Sequence, residues 1–156
     1  PETPRSSLVC DHRAQRRYGL VWANPFPFPT AKYVRAGYLF KAPTLIELAH
    51  QCGIDAQQLE VTVSAFNLGA EQGHDPLFHR GESLYNRAQG DALHGPNPSL
   101  GSLHKGPLYA VKLVPGSLGT SAGLNTDACA RPLDAHGTPH PGLFAAGIDM
   151  NSIING

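Results

Sequence analysis

The stretch TLIELAHQCGIDAQQLEVTVSAFNLGAEQG, residues 44–73, constrains the fold more than any other part of the chain. Thr44 stands at a helix N-cap with Glu47 three residues on, the spacing of a capping box. In that arrangement the threonine hydroxyl accepts from the Glu47 amide and the carboxylate reaches back. Gly53 then supplies the left-handed residue that closes a short helix. Asp55 and Gln58 repeat the cap pattern at once. Leu59, Val63, Phe66 and Ala70 follow at i, i+4, i+7 and i+11, one apolar stripe of a second helix ending near Gly73. Two capped helices meeting at Gly53 and Ile54 make a compact helical corner.

On either side of this corner the pattern changes. SSLVCD, residues 6–11, is a short apolar run that reads as a strand. NPFPFPTAKYVRAGYLF, residues 24–40, carries Pro25, Pro27 and Pro29 in alternate positions, which forbid helix and remove ladder donors. It reads as an extended loop that returns to packed structure at Tyr33, Tyr38, Leu39 and Phe40. Residues 74–106 show little periodicity beyond one helical turn around 82–87. Connections of that length are usually functional or held by another part of the molecule, so the chain is expected not to fold against itself alone.

From Gly106 strand patterning takes over. PLYAVKLV, residues 107–114, puts Tyr109, Val111 and Leu113 on one face and Leu108, Ala110, Lys112 and Val114 on the other. PGSLGTSAGL is a glycine-rich loop. CARPLDAHGTP reads as a short strand and a turn at His136 and Gly137. Residues 143–146 read as a last buried strand running into a glycine turn at Gly147. The fold class expected is α+β.

Seventeen glycines and fourteen prolines make about a fifth of the chain, against about an eighth on average, which marks a loop-rich protein. Patterned Leu, Val, Ile and Phe argue against disorder. Twelve basic and twelve acidic residues among 156 leave no net charge and no field to gather nucleic acid or anionic lipid. The cluster Arg13, Arg16 and Arg17 reads as a solvated surface rather than a phosphate clamp. No apolar run reaches a membrane span, and the first ten residues do not read as a signal peptide. Three widely spaced cysteines, Cys10, Cys52 and Cys129, fit reduced thiols and a cytoplasmic protein.

No local motif carries chemistry by itself. His136 and His140 have a spacing legal for zinc, with Cys129 nearby, yet a fourth ligand is missing and the pair lies in a turn, so no metal is expected. There is no G-x-S-x-G elbow. GSLGTSAG, residues 116–123, is neither a Walker loop nor G-x-G-x-x-G. It is open to two readings, a tight turn or a loop that lets a flat ligand approach the backbone.

Taken in order, GYLFKAPTLIELAHQCGIDAQQLEVTVSAFN, DPLFHRGESLYNRAQGD and GPLYAVKLVPGSLGTSAGLNTDACARPLDAHGTPHPGLFAAGIDM are more specific than any single segment. The sequence resembles the fumarate reductase/succinate dehydrogenase flavoprotein superfamily, in its 3-ketosteroid dehydrogenase-like branch, over nearly the whole chain. The resemblance implies FAD as cofactor and an apolar ketone such as a steroid as substrate. It implies a substrate-cap domain over residues 1–105, which holds the helical corner. Residues 106–156 would then be the returning β-strands of a Rossmann-like FAD-binding domain. Strands after Gly106 would lack their sheet neighbours, and a homo-oligomer is one way to cover them. Such a chain is expected to be a C-terminal part of a larger enzyme and inactive in isolation.

In that family hydride passes from a substrate C–H to the flavin while a tyrosinate takes a proton from the neighbouring carbon. No residue here matches a catalytic position, and Tyr109 reads as a packed strand residue. The cofactor wall is implied at Leu118, Gly119 and Thr120 and at Gly147, Ile148 and Asp149. The loop at 118–120 lacks the substrate-binding histidine of fumarate reductases, which disfavours dicarboxylates. The family places Asn or Glu where Ile148 stands, and glycine is usual where Asn155 stands. Those departures keep an alternative open, a non-catalytic ligand-binding or interaction module derived from the same fold.

Overall fold

A computed structural model describes residues 6–104, 106–116, 119–120 and 122–151. The chain divides into two compact units, Pro1–Val114 and Pro115–Gly156. In chain order the first unit runs β1 (Ser6–Cys10), α1 (His12–Tyr18), α2 (Ala31–Arg35), β2 (Phe40–Ala42), α3 (Leu45–Cys52), α4 (Ala56–Glu71), α5 (Leu84–Gln89) and β3 (Leu108–Leu113).

The helical corner forms as its caps dictate. Thr44 Oγ1 accepts from the Glu47 amide at 3.2 Å, and Asp55 Oδ1 accepts from the Gln58 amide at 2.7 Å. Gly53 sits at φ +70°, a left-handed conformation that L side chains avoid. Along α4, Val63 and Ala70 are buried while Leu59 and Phe66 are partly so, which is the stripe read from the sequence.

The sheet is antiparallel with order β1-β3-β2. β3 therefore lies in the middle, with Val9 opposite Ala110 on one side and Lys41 opposite Tyr109 on the other. This corrects the expectation that a strand after Gly106 would lack neighbours. Its partners come from earlier in the same chain, and β3 belongs to the first unit.

Alternation along β3 serves two cores. Tyr109 and Val111 pack with Leu20, Ala23 and Leu39, beside Tyr33, Val34 and Tyr38. Leu108 and Ala110 pack with Ala42, Leu48 and Cys52, beside Val9, Leu45 and Ile54. Thus α3 lies against one sheet face, α4 against α3, and the segment from α1 through α2 against the other face.

One further expectation is overturned here. The proline-rich stretch does end in helix, because past Pro29 nothing opposes the short α2. Residues 74–104 have the expected lack of regular structure apart from the short α5, and internal hydrogen bonds tie them together. Asn97, 3% exposed, donates through Nδ2 to Gly73 O and Arg80 O, both at 3.0 Å, and accepts from the Ser99 amide at 2.9 Å. Asn67 on α4 exchanges two hydrogen bonds with the Leu103 backbone, at 3.1 and 2.8 Å. Asp75 takes the Arg80 Nε donor at 2.5 Å. Buried amides and carboxylates of this kind replace the backbone ladders that an irregular segment lacks.

The second unit has no extended ladder among its described residues, only isolated bridges joining Leu124 to Met150, Thr126 to Pro132 and Leu133 to Pro139. The turn at His136 and Gly137 forms, with Asp134 Oδ1 accepting from the amides of His136 and Thr138. The strand expected over residues 143–146 does not. Of that run only Ala145 is buried, and its amide bonds to Ala130 O at 2.9 Å. Apolar residues without a sheet neighbour have no ladder to join, so the composition of a strand is present here without its pairing.

Candidate functional site

In the second unit, residues 119–120 and 122–125 are brought together with residues 147–151. Thr120 Oγ1 donates to Ile148 O at 2.8 Å. The Leu124 amide donates to Asp149 O and the Asn151 amide to Leu124 O, both at 3.0 Å. Asn151 Oδ1 accepts from the Gly123 amide at 2.9 Å, and its Nδ2 reaches Asn125 Oδ1. Gly123 lets the two backbones meet, since a Cβ there would stand 2.6 Å from Met150 O. A Cβ on Gly119 would touch Ile148 Cγ2 at 3.4 Å.

Of the residues expected to line a cofactor, Gly119, Thr120, Ile148 and Asp149 therefore share one small structure. Leu118 lies outside the described residues. Gly147 opens a single 3-10 turn, Gly147–Asp149, at φ +65°, with open space where its Cβ would point. Around it Ile148 and Phe144 are exposed.

FAD can be tested against this surface. A glycine backbone open to solvent, flanked by exposed apolar side chains, suits a flat ring system. The exposed Asp149 carboxylate suits hydroxyl donors. The diphosphate is another matter. Arg131 is the sole Lys or Arg among the described residues of this unit, and Asp127 already holds it through Nε at 2.8 Å and Nη2 at 2.6 Å. That pairing drives the Asp127 carboxyl below its ordinary range, first through the arginine hydrogen bond. The described residues of this unit suit the ring and ribityl end of FAD and offer its phosphates no cation beyond the paired Arg131.

The first unit contains a cavity of about 670 Å³ that the sequence did not announce. It opens between β1, α1 and the loop after α5, beside Arg13, Arg17, Phe66, Arg80, Asp91 and Leu103. The basic cluster of α1 meets three fates around it. Arg16 lies over the Phe26 ring at 4.1 Å. Arg17 pairs with Asp91 at 2.6 Å, where the Tyr18 hydroxyl also donates at 2.5 Å. Arg13 forms no ion pair or hydrogen bond among the described residues. Asp91 is held below the usual carboxylate range, the Tyr18 hydroxyl bond contributing most. Its side-chain partners Arg17 and Tyr18 stand more than seventy residues away in the chain, beyond any local sequence signal.

Tyr109 is buried, with its hydroxyl 3.2 Å from His12 Nδ1. Burial, first among the causes, raises its pKa, as suits a packed residue rather than a ready base. Burial likewise pushes the Cys10 thiol up to about 12, which leaves it a poor nucleophile. Among the described residues no three or more His, Cys, Asp or Glu side chains gather to hold a metal ion, and no helix is long and apolar enough to cross a membrane.

Comparison with solved structures gives the class. The chain is similar to 3-ketosteroid Δ1-dehydrogenase from Sterolibacterium denitrificans, solved in complex with 1,4-androstadiene-3,17-dione. The TM-score is 0.82 at 33% identity, over 95% of this chain and 27% of that one. A flavocytochrome c3 fumarate reductase in its open conformation matches with TM-score 0.62 at 26% identity, over 94% of this chain and 22% of that one. This is the fold of a flavin-dependent oxidoreductase. The chain belongs to the FAD binding domain family, whose model matches residues 1–156.

Among curated relatives, 4-oxocyclohex-2-ene-1-carboxylate 5-dehydrogenase of Sinomonas cyclohexanicum is 44% identical over 96% of this chain and 25% of its own length. The 4-oxocyclohexanecarboxylate 2-dehydrogenase of the same organism is 50% identical over 90% of this chain and 24% of its own. The 3-oxosteroid 1-dehydrogenase of Mycolicibacterium smegmatis is 42% identical over 90% of this chain and 25% of its own. The chain spans about a quarter of the length of these relatives.

Proposed function

We propose that this chain forms part of a flavin-dependent dehydrogenase that oxidises a cyclic ketone, with FAD as hydride acceptor. Gly119, Thr120, Gly147, Ile148 and Asp149 would line the ring and ribityl end of the cofactor. The observation that carries this is the joining of residues 119–120 and 122–125 to residues 147–151 around an open, left-handed Gly147, in a chain that matches the FAD binding domain family throughout. When bound, FAD supplies the two-electron acceptor. The residues of this chain would position its ring and accept from its hydroxyls. The first unit, in this reading, is substrate-cap structure extended by β3. The isolated chain is expected to be inactive, because none of its residues matches a catalytic position of the family it resembles.

An apolar 3-oxosteroid is the substrate class we favour, on the likeness to the steroid dehydrogenases. A smaller oxocyclohexane carboxylate is the second reading, favoured by the 44% and 50% identities to enzymes named for such substrates. Relatives that are themselves dehydrogenases make a non-catalytic module the weaker account.

Titration of the chain with FAD, read by the visible band and by flavin fluorescence, tests the cofactor reading. Saturable binding that weakens at least tenfold in Gly147→Val is expected, since a branched side chain at φ +65° both strains the turn and fills the open space. Binding unchanged by Gly147→Val, with the fold retained by circular dichroism, would remove these residues from the cofactor wall. Turnover of the whole protein on a 3-oxosteroid and on 4-oxocyclohexanecarboxylate, with a dye acceptor, separates the two substrate readings.

A further inference from the structure

We propose that the cavity of the first unit binds an organic carboxylate with an apolar, ring-sized body, and that Arg13 receives the carboxylate. The reasoning concerns charge first. Arg17 and Arg80 also face the cavity, but each is committed to an aspartate, Asp91 at 2.6 Å and Asp75 at 2.5 Å. Asp91 is fully engaged by Arg17, by the Tyr18 hydroxyl and by the Leu93 amide at 2.9 Å. His94, another lining residue, has its Nε2 2.6 Å from Leu100 O. Asp11, also at the wall, caps α1 by accepting from the Ala14 amide at 2.8 Å. Among the described residues, what remains without an ion pair is the Arg13 guanidinium, a fork of donors matched to a carboxylate.

Size and lining decide the rest of the ligand. About 670 Å³ falls within the range of small-molecule sites, roughly 300–1,000 Å³, and far exceeds the needs of a bare inorganic anion. Val9, Phe66, Leu100 and Leu103 supply apolar wall. The Arg80 guanidinium lies 5.1 Å from the Phe66 ring centroid, extending a flat surface on which an aromatic or alicyclic ring can rest. A phosphate monoester or other dianion would leave one charge unmatched, since Arg13 is the one lining cation without an ion pair among the described residues. A neutral molecule would leave Arg13 unused.

The probe is 2-naphthoate, followed by its own fluorescence on titration with the full chain, beside 2-naphthamide as a neutral isostere. Saturable naphthoate binding is expected, at least tenfold tighter than that of the amide. Arg13→Gln should abolish that preference by lowering naphthoate affinity to the level of the amide. Arg13→Lys should retain part of it, because a point charge remains without the fork. Arg13 is exposed and forms no hydrogen bond or ion pair among the described residues, so these variants should leave the circular dichroism spectrum unchanged. Equal affinity for acid and amide, unchanged naphthoate binding in Arg13→Gln, or no binding of naphthoate would each overturn the proposal. FAD plays no part in the readout, so the outcome is independent of the cofactor reading.

Discussion

At the scale of single residues, the side chains that hold most structure are polar. Asn97 is buried, and its amide closes a loop by bridging Gly73, Arg80 and Ser99. Gly81 packs so closely over it that a Cβ would clash with the Asn97 side chain. Asn97→Ala should cost about 2–3 kcal/mol, because two carbonyls and an amide lose their partner inside the fold. Urea denaturation followed by helical circular dichroism measures it, and a cost under about 0.5 kcal/mol, that of an ordinary surface substitution, would contradict this account. Asp75 adds a pH dependence. The Arg80 hydrogen bond, its leading cause, lowers the Asp75 pKa from the ordinary 3.8. A carboxyl depressed on folding stabilises above its unfolded pKa and loses that contribution as pH falls through the folded value. Urea midpoints should therefore drop below about pH 4 in the natural chain. Asp75→Asn should start lower at neutral pH and fall less over the same window. None of this was legible in the sequence: Asn97 and Asp75 sit in a stretch without periodicity, where the partners of Asn97 are backbone atoms that no side-chain pattern marks and the Asp75–Arg80 pair has no helical spacing to single it out.

At the scale of elements, legibility followed how local the determining contacts are. The helical corner was readable because each cap acts across three residues and each apolar contact across one or two turns. Both cap bonds form where the spacing puts them. Thr44→Ala should cost about 1 kcal/mol, and Gly53→Ala about 1–2 kcal/mol, since alanine must enter the left-handed region at φ +70°. Leu48→Ala, which empties a site 1% exposed beneath the sheet, should cost about 3 kcal/mol. Thermal or urea unfolding of the three variants should rank Leu48→Ala as the most destabilised. A reversed order would mean that the corner stands on its caps rather than on its packing. The two faces of β3 were also legible, because alternation needs no knowledge of the partner. Its place in the middle of the sheet was not. That depends on β1, about a hundred residues earlier, and on β2, and pairing over such separations leaves no trace in local composition. Residues 143–146 show the converse: the composition of a strand without a neighbour to pair with.

At the scale of the molecule, the two units differ in what holds them. The first unit has two apolar clusters on opposite faces of a central strand. In the second, Ala145 is the sole buried hydrophobic side chain among the described residues outside the prolines. Its structure rests on Asx-type turns at Asp127 and Asp134 and on the bonds that residues 119–120 and 122–125 make with residues 147–151. Exposed hydrogen bonds contribute little net stability each, and segments with few apolar contacts open at low free-energy cost. Amide hydrogen exchange should therefore show strong protection for Val9, Ala110 and Val111 in the sheet and for the α3 and α4 interiors. The amides of Leu124 and Asn151 should exchange far faster. If FAD rests on Gly119, Thr120 and Gly147–Asp149, its addition should slow Leu124 and Asn151 specifically, because a ligand that binds the closed form stabilises the bonds that close it. Naphthoate in the cavity should leave those amides unchanged and slow instead those of α1 and of residues 98–103. Slow exchange of Leu124 and Asn151 without FAD would mean that the second unit is held by more than its own hydrogen bonds. A slowing by FAD confined to the first unit would move the cofactor site away from Gly147.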